Sequence, residues 1–411
     1  MTKEFLSLMT PKEALRLFLQ SIPHSHKKSM QINVTDSLGY VTAVPVIAQE
    51  PSPAFPKSTM DGYAVRARDT YGASESLPAY LRIVGEIPMG KSPGFEIGEL
   101  EAGLIHTGGM LPKGADAVVM VENTQIDQRG QVEIFRAVAV GENTVAVGED
   151  VRIGETIISA GRRIRPMEIG GMLSVGIQQV EVVQPPRFGI LSSGDEVVSP
   201  EKTVLPGQVR DINSYTLGSL IQQYGGQPVF YGIFPDVREE LEKGIRRAWE
   251  ACDAVVVTAG SSVSARDMTA GVIQELGQPG VLVHGINIRP GKPTILAVCG
   301  SKPVIGLPGN PVSALVIARL FVIPVLERLL GIMEHPELMV RAKLTINLPS
   351  DAGREEWVPV KLTEAEGEYR AEPVFYKSSL IFSLTRADGL AYLAPDVVGA
   401  NAGEELPVLL L

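Results

Sequence analysis

Phe188-Gly189-Ile190-Leu191-Ser192-Ser193-Gly194-Asp195-Glu196 carries a buried-strand run straight into a loop of small and acidic residues. The same arrangement recurs downstream. Val229-Phe230-Tyr231-Gly232 leads to Pro235-Asp236, Ala254-Val255-Val256-Val257 to Thr258-Ala259-Gly260-Ser261-Ser262, and Val304-Ile305-Gly306-Leu307 to Pro308-Gly309-Asn310-Pro311. Helical stretches lie between these runs. Residues 237–250 place Leu241, Ile245, Ala248 and Trp249 at helical spacing, with Glu239 and Lys243 as an i,i+4 pair. Strands alternating with helices specify a doubly wound, mostly parallel α/β sheet covered on both faces, here over 187–332.

Working outward, the flanking segments have a different grain. After Pro336 the chain is β-rich, with Leu344-Thr345-Ile346-Asn347 and Trp357-Val358-Pro359-Val360, so 333–411 reads as a small β domain, a barrel or sandwich. Upstream, Leu81-Arg82-Ile83-Val84, Ala117-Val118-Val119-Met120 and Val132-Glu133-Ile134-Phe135 are short strands cut by Gly and Pro. With no amphipathic helix of normal length among them, 57–145 reads as a small β-rich domain. It is inserted into a split N-terminal domain, 1–56 and 146–186, behind a linker stiffened by Pro51, Pro53 and Pro56. Thr10, Pro11 and Glu13 are the N-cap, first-turn proline and capping-box acid of a helix.

The whole is a multi-domain α/β plus β chain, because 411 residues exceed the ~250–300 that one core supports. Its 45% hydrophobic and 20% charged residues are those of a globular protein. No apolar run approaches the ~20 residues of a membrane helix, and Met1-Thr2-Lys3-Glu4-Phe5 has no signal-peptide character, so the expectation is a cytoplasmic protein without membrane contact. Cys252 and Cys299 are too few and too far apart for a disulfide framework and read as buried small hydrophobes. A net charge of −10 disfavours nucleic acid while leaving room for a small anion held by local Lys or Arg.

Ligands of an open parallel sheet collect outside the carboxyl ends of its strands. Four loops fall there. Small residues in three of them let backbone N–H groups approach an anion, and helix N-termini behind them add a favourable dipole. Glu196, Asp236 and Asp267 share that rim; carboxylates beside an anion cradle suit a divalent cation bridging protein and phosphate oxygens. One Gly or Asp alone serves a turn or a cap as readily, but four loops on one edge favour a site. Arg187 and Arg210-Asp211 read equally as site residues or surface charges, and nothing in the spacing of His106 makes it a general base.

Ser193-Gly194-Asp195-Glu196, Asn213-Ser214, Pro290-Gly291-Lys292-Pro293 and Gly306-Leu307-Pro308-Gly309-Asn310-Pro311-Val312-Ser313-Ala314 resemble the corresponding domain of the molybdopterin molybdenumtransferases, the MoeA-type proteins of molybdenum cofactor biosynthesis. Ser58-Thr59-Met60-Asp61-Gly62-Tyr63-Ala64, His106-Thr107-Gly108-Gly109 and Gly114-Ala115-Asp116-Ala117-Val118-Val119 with Glu122 resemble the inserted domain of that family. The resemblance spans the chain in order. It implies a four-domain, elongated homodimer in which the inserted domain of one chain faces the α/β domain of the other. It further implies molybdenum insertion into adenylylated molybdopterin from molybdate, releasing AMP, with Mg2+ as cofactor. Partners implied alongside are the adenylyltransferase and apo-molybdoenzyme chaperones.

Carried residue by residue, the resemblance makes Asp61, Glu196, Asp236 and Asp267 catalytic, the last three also metal ligands. It puts Thr107, Ser193, Gly194, Asp195, Ser214, Gly260, Ser261, Ser262, Arg289, Lys292, Pro308, Gly309, Asn310 and Pro311 on the substrate. The chain departs from the family at Ala259 and Ser264, where glycines are usual, and at Arg289, where a lysine is; arginine presents a planar fork instead of a point charge. Two rival functions share these residues. A molybdopterin adenylyltransferase has the same α/β domain, and a pterin carrier or scaffold would bind ligand without turnover.

Overall fold

The computed structural model describes residues 8–23, 28–259, 263–332, 338–375 and 377–411. The run that opens at Arg187 is the second strand of a six-stranded sheet. Gln227–Phe234, Arg187–Ser193, Ala254–Ala259 and Lys302–Pro308 lie side by side in parallel; Ile295–Cys299 and Pro279–His284 continue the sheet antiparallel. Ala254–Ala259 is buried at every position, which is what a strand covered on both faces requires. One face packs Leu241, Ile245 and Ala248 of Arg238–Ala251 with Val272 and Ile273 of the next helix. On the opposite face lie Leu217 and Ile221 of Asn213–Gln223 and the helical segments between Pro311 and Leu330. Burying Phe188 completely contributes about 2–3 kcal/mol against leaving it in water.

Thr10 caps Pro11–Ser21 in a reciprocal capping box with Glu13, as the sequence predicts. That helix sends Ala14 and Phe18 into the same core as Leu296 and Val298, so it braces the α/β sheet. In Arg238–Ala251, Lys243 reaches Glu240 at 2.8 Å instead of the Glu239 expected from sequence; three-residue spacing also brings helical side chains together. Both cysteines are buried and free.

Ser29–Asn33 pairs antiparallel with Gln179–Val183, and Val46–Ile47 with Thr156–Ile158, so chain from before and after the insertion shares one core around Val34, Ile164 and Met172. Between them, six strands follow the order Ala117–Met120, Gly62–Val65, Glu101–Ile105, Ala79–Glu86, Gln131–Ile134, Thr124–Ile126. Toward the C-terminus, Glu355–Ala365, Glu368–Pro373, Met339–Leu344, Glu405–Leu410 and Gly389–Leu393 close on themselves as a five-stranded barrel. Ile288–Arg289, from the loop after Pro279–His284, adds to this barrel in parallel beside Glu355 and Glu356. No helix of the described residues is long and apolar enough to cross a membrane.

Candidate functional site

Beneath the carboxyl-end loops lies a buried polar knot. Ser192, at the end of its strand, makes hydrogen bonds to Asp211 Oδ1 at 3.0 Å, Ser214 Oγ at 3.1 Å and Thr258 Oγ1 at 2.9 Å. Asp211 also accepts from Ser214 N at 3.1 Å and Ser214 Oγ at 2.7 Å. At 6% exposed, Asp211 is no surface charge: three donors take the place of water around its carboxylate. The knot fixes the start of Asn213–Gln223 against two neighbouring strand ends.

Asn213 extends the brace to the last loop, donating from Nδ2 to the Gly309 carbonyl at 2.8 Å. Its Oδ1 is buried without a hydrogen-bond partner. Asn310, in that loop, donates from Nδ2 to Ser378 Oγ at 3.0 Å, and Val312 N–H donates to the Ser378 carbonyl at 3.1 Å. A loop of the barrel domain thereby sits on Pro308-Gly309-Asn310-Pro311. Sequence gave no sign of Ser378, because neither its spacing nor its neighbours distinguish it from any loop serine.

Above the knot the two acidic loops are laced together. Ser193 Oγ donates to Asp236 Oδ1 at 2.7 Å, and Asp236 N–H donates to Asp195 Oδ1 at 3.1 Å. Gly194 has φ +152°, a backbone conformation that favours glycine at this turn. Glu196 and Asp267 are exposed, and their carboxylates take no hydrogen bond or ion pair among the described residues. Gly260, Ser261 and Ser262 lie outside the described residues. Among those described, no three His, Cys, Asp or Glu side chains form a preassembled metal cage. Glu196 and Asp267 each offer carboxylate oxygens that have no partner among the described residues. Hard carboxylate oxygen is the donor type magnesium takes, one or two at a time with water and phosphate in its other positions.

The two basic residues separate. Lys292 is exposed and its ammonium has no acidic partner among the described residues. Gly291 before it has φ +106°, with a Cβ position 2.2 Å from Ile317 Cγ1, so the loop presses on the helix Pro311–Ile317 where only glycine fits. Arg289 instead meets two barrel carboxylates, Asp351 Oδ2 and Glu356 Oε1, each at 3.4 Å. Glu356 is buried and also accepts from Ser350 Oγ at 2.6 Å.

In the inserted domain, Ser58 holds the turn before Asp61: its Oγ donates to the Met60 carbonyl at 2.5 Å and accepts from Met60 N at 3.1 Å. Asp61 Oδ1 accepts the backbone N–H of Thr107 at 2.7 Å and its hydroxyl at 3.1 Å. The Thr107 backbone N–H first, and its hydroxyl second, hold the Asp61 carboxyl below the usual carboxylate range. Asp61 is therefore ionised at neutral pH and fixed by one oxygen, leaving Oδ2 to solvent or ligand.

A parallel sheet with small and acidic strand-end loops is thus flanked by a barrel and an inserted β domain. Family models match in order: "MoeA N-terminal region (domain I and II)" over residues 9–176, "Probable molybdopterin binding domain" over 189–328 and "MoeA C-terminal region (domain IV)" over 341–411. The chain is 31% identical over 379 residues to the molybdopterin molybdenumtransferase of a Nostoc species, covering 91% of this chain and 86% of that protein. It is 31% identical over 384 residues to that of Bacillus subtilis, covering 92% and 89%. The crystal structure of the molybdopterin biosynthesis MoeA protein from Pyrococcus horikoshii superposes with a TM-score of 0.81 at 36% identity, covering 98% of this chain and 99% of that one. The chain belongs to the MoeA family, and through it to the transferases of molybdenum cofactor biosynthesis.

Proposed function

We propose that this chain transfers molybdenum from molybdate to adenylylated molybdopterin and releases AMP. The observation that carries the reading is the laced acidic rim, Ser193–Asp236–Asp195 with Glu196 alongside, standing over strand-end loops suited to a phosphate. Pro308, Gly309, Asn310 and Pro311 would line the nucleotide–pyrophosphate end, where backbone donors and small side chains admit close approach, with Ser214 bracing that edge from the buried knot below. Glu196, Asp236 and Asp267 would hold a magnesium ion, which supplies charge neutralisation at the pyrophosphate. Ser193 orients Asp236, and Asp195 holds the Asp236 backbone.

Lys292 attracts the anionic substrate, and Arg289, tied to Asp351 and Glu356, keeps the loop of Lys292 against the barrel. Asp61, fixed by Thr107, faces the molybdate and dithiolene end from the partner chain of a homodimer. The deciding experiment separates this from adenylylation. Purified chain given adenylylated molybdopterin, magnesium and molybdate should release AMP. The same chain given molybdopterin and ATP should form no adenylylated product. Adenylylation without molybdate-dependent AMP release would make it an adenylyltransferase, and binding without either would make it a carrier.

A further inference from the structure

We propose that Asn213 is a positioning residue whose amide turns the Gly309–Asn310 peptide, so that the Asn310 N–H is held out for a phosphoryl oxygen of the nucleotide substrate. Asn213 opens the helix Asn213–Gln223, whose start is held by the buried knot of Ser192, Asp211 and Ser214. It is 8% exposed, and its Nδ2 donates to the Gly309 carbonyl at 2.8 Å. A trans peptide is planar, with its C=O and N–H aimed in opposite directions. Gly309–Asn310 is trans, so a carbonyl drawn toward Asn213 turns the Asn310 N–H away from it. That N–H has no partner among the described residues, although Asn310 is pinned through Nδ2 to Ser378 Oγ. Pro311 has no N–H to offer, and the Val312 N–H is spent on the Ser378 carbonyl.

The other half of the amide separates this from an ordinary packing role. Asn213 Oδ1 is buried without a hydrogen-bond partner. Turning the amide over would set Oδ1 against the Gly309 carbonyl, two acceptors face to face, so the bond to Gly309 fixes its orientation. A buried acceptor without a partner costs stability. An apolar side chain of the same branching would avoid that cost and leave the half-buried Gly309 carbonyl to water. Stability alone therefore gives no reason for asparagine here, whereas aiming a peptide does. An N–H on a phosphoryl oxygen makes a charge-assisted hydrogen bond, stronger than a neutral one. The inference rests on the proposal that Pro308-Gly309-Asn310-Pro311 meets the phosphate end of the substrate.

The test uses the full chain, with AMP and magnesium as the probe. Asn213→Leu keeps the branching and removes the donor. It should weaken AMP binding by calorimetry about 10- to 100-fold, the range for a hydrogen bond to a charged group. KM for the adenylylated substrate should rise with it while kcat stays within about 3-fold, because the N–H holds substrate and transition state alike. The melting temperature of the unliganded variant should stay within about 3 °C of the unsubstituted chain. Unchanged AMP affinity would overturn the proposal, and so would a large fall in melting temperature, which would make Asn213 a structural support. NMR of the unsubstituted chain, labelled at asparagine backbone nitrogen, gives a reading that no folding failure can obscure. AMP should move the Asn310 amide proton downfield, and adenosine, which lacks the phosphate, should not. No shift with AMP, or the same shift with adenosine, would overturn it. Absence of molybdate-dependent AMP release in the unsubstituted chain would count against the functional reading, while AMP binding and the Asn310 proton would still judge Asn213.

Discussion

Ser193 Oγ donates a 2.7 Å hydrogen bond to Asp236 Oδ1, joining the loops that close two neighbouring parallel strands. One oxygen of Asp236 is thereby fixed and the other left to face the rim. Ser193→Ala should lower kcat/KM about tenfold, since one hydrogen bond to a charged acceptor is worth ~1.5 kcal/mol. Steady-state AMP release checks this; unchanged kcat/KM would remove Ser193 from the machinery.

Asp267→Asn should abolish turnover and leave the melting temperature within about 1–2 °C, the usual scale of a neutral surface change. Its carboxylate is exposed and takes no protein partner among the described residues, so stability has no use for it. Added magnesium should raise the melting temperature of the liganded wild type and do so less in the variant. Equal magnesium effects in both would take Asp267 out of the metal set.

Asp211 works the other way. Asp211→Ala should cost roughly 2–3 kcal/mol in urea unfolding, because Ser214 loses both of its bonds to the carboxylate and a buried void opens. A cost below ~0.5 kcal/mol would mean that water or the remaining hydroxyls replace the carboxylate fully.

Glu168 gives the acid limb of stability. Arg165 donates to it through Nη2 at 2.7 Å and through Nε, and this pairing, ahead of the backbone hydrogen bonds, lowers its pKa from 4.5 to about 2. A depressed carboxylate pKa contributes stability that is present above pH 4.5 and lost as pH falls through about 2. Glu168→Gln should therefore be less stable at pH 7 by about 1 kcal/mol, a figure already reduced for the half-exposed Arg165, and the gap should close as pH falls below about 2. A stability gap that persists at that pH would assign the loss to packing.

Lys292→Ala should weaken binding of the adenylylated substrate about 3- to 10-fold and flatten its salt dependence, leaving stability unchanged. An unaltered salt slope would make the ammonium ordinary surface charge.

The α/β sheet was legible because a strand covered on both faces must be continuously apolar, and Ala254-Val255-Val256-Val257 is. Thr10 and Glu13 announced their helix by a reciprocal cap, a purely local device. Features built by contacts distant in sequence were not legible. Ser378 reaches Asn310 across 68 residues, and Glu86 reaches His106 only because two strands adopt one particular register. Asp211 beside Arg210 reads from sequence equally as a site residue or a surface charge; its burial depends on Ser192 and Ser214 arriving from other elements. Arg289 matched an anion-binding position by motif, yet its two acidic contacts come from a barrel whose closure no local pattern specifies.

The most direct measurement is single-turnover stoichiometry. Wild-type chain in excess over adenylylated molybdopterin, with magnesium and molybdate, is quenched over time; AMP and pterin-bound molybdenum are counted in the same sample. Metal transfer coupled to nucleotide release predicts one molybdenum bound per AMP, rising together, with neither appearing when molybdate is withheld. AMP released at the same rate without molybdate, or molybdenum bound with no AMP released, would contradict it.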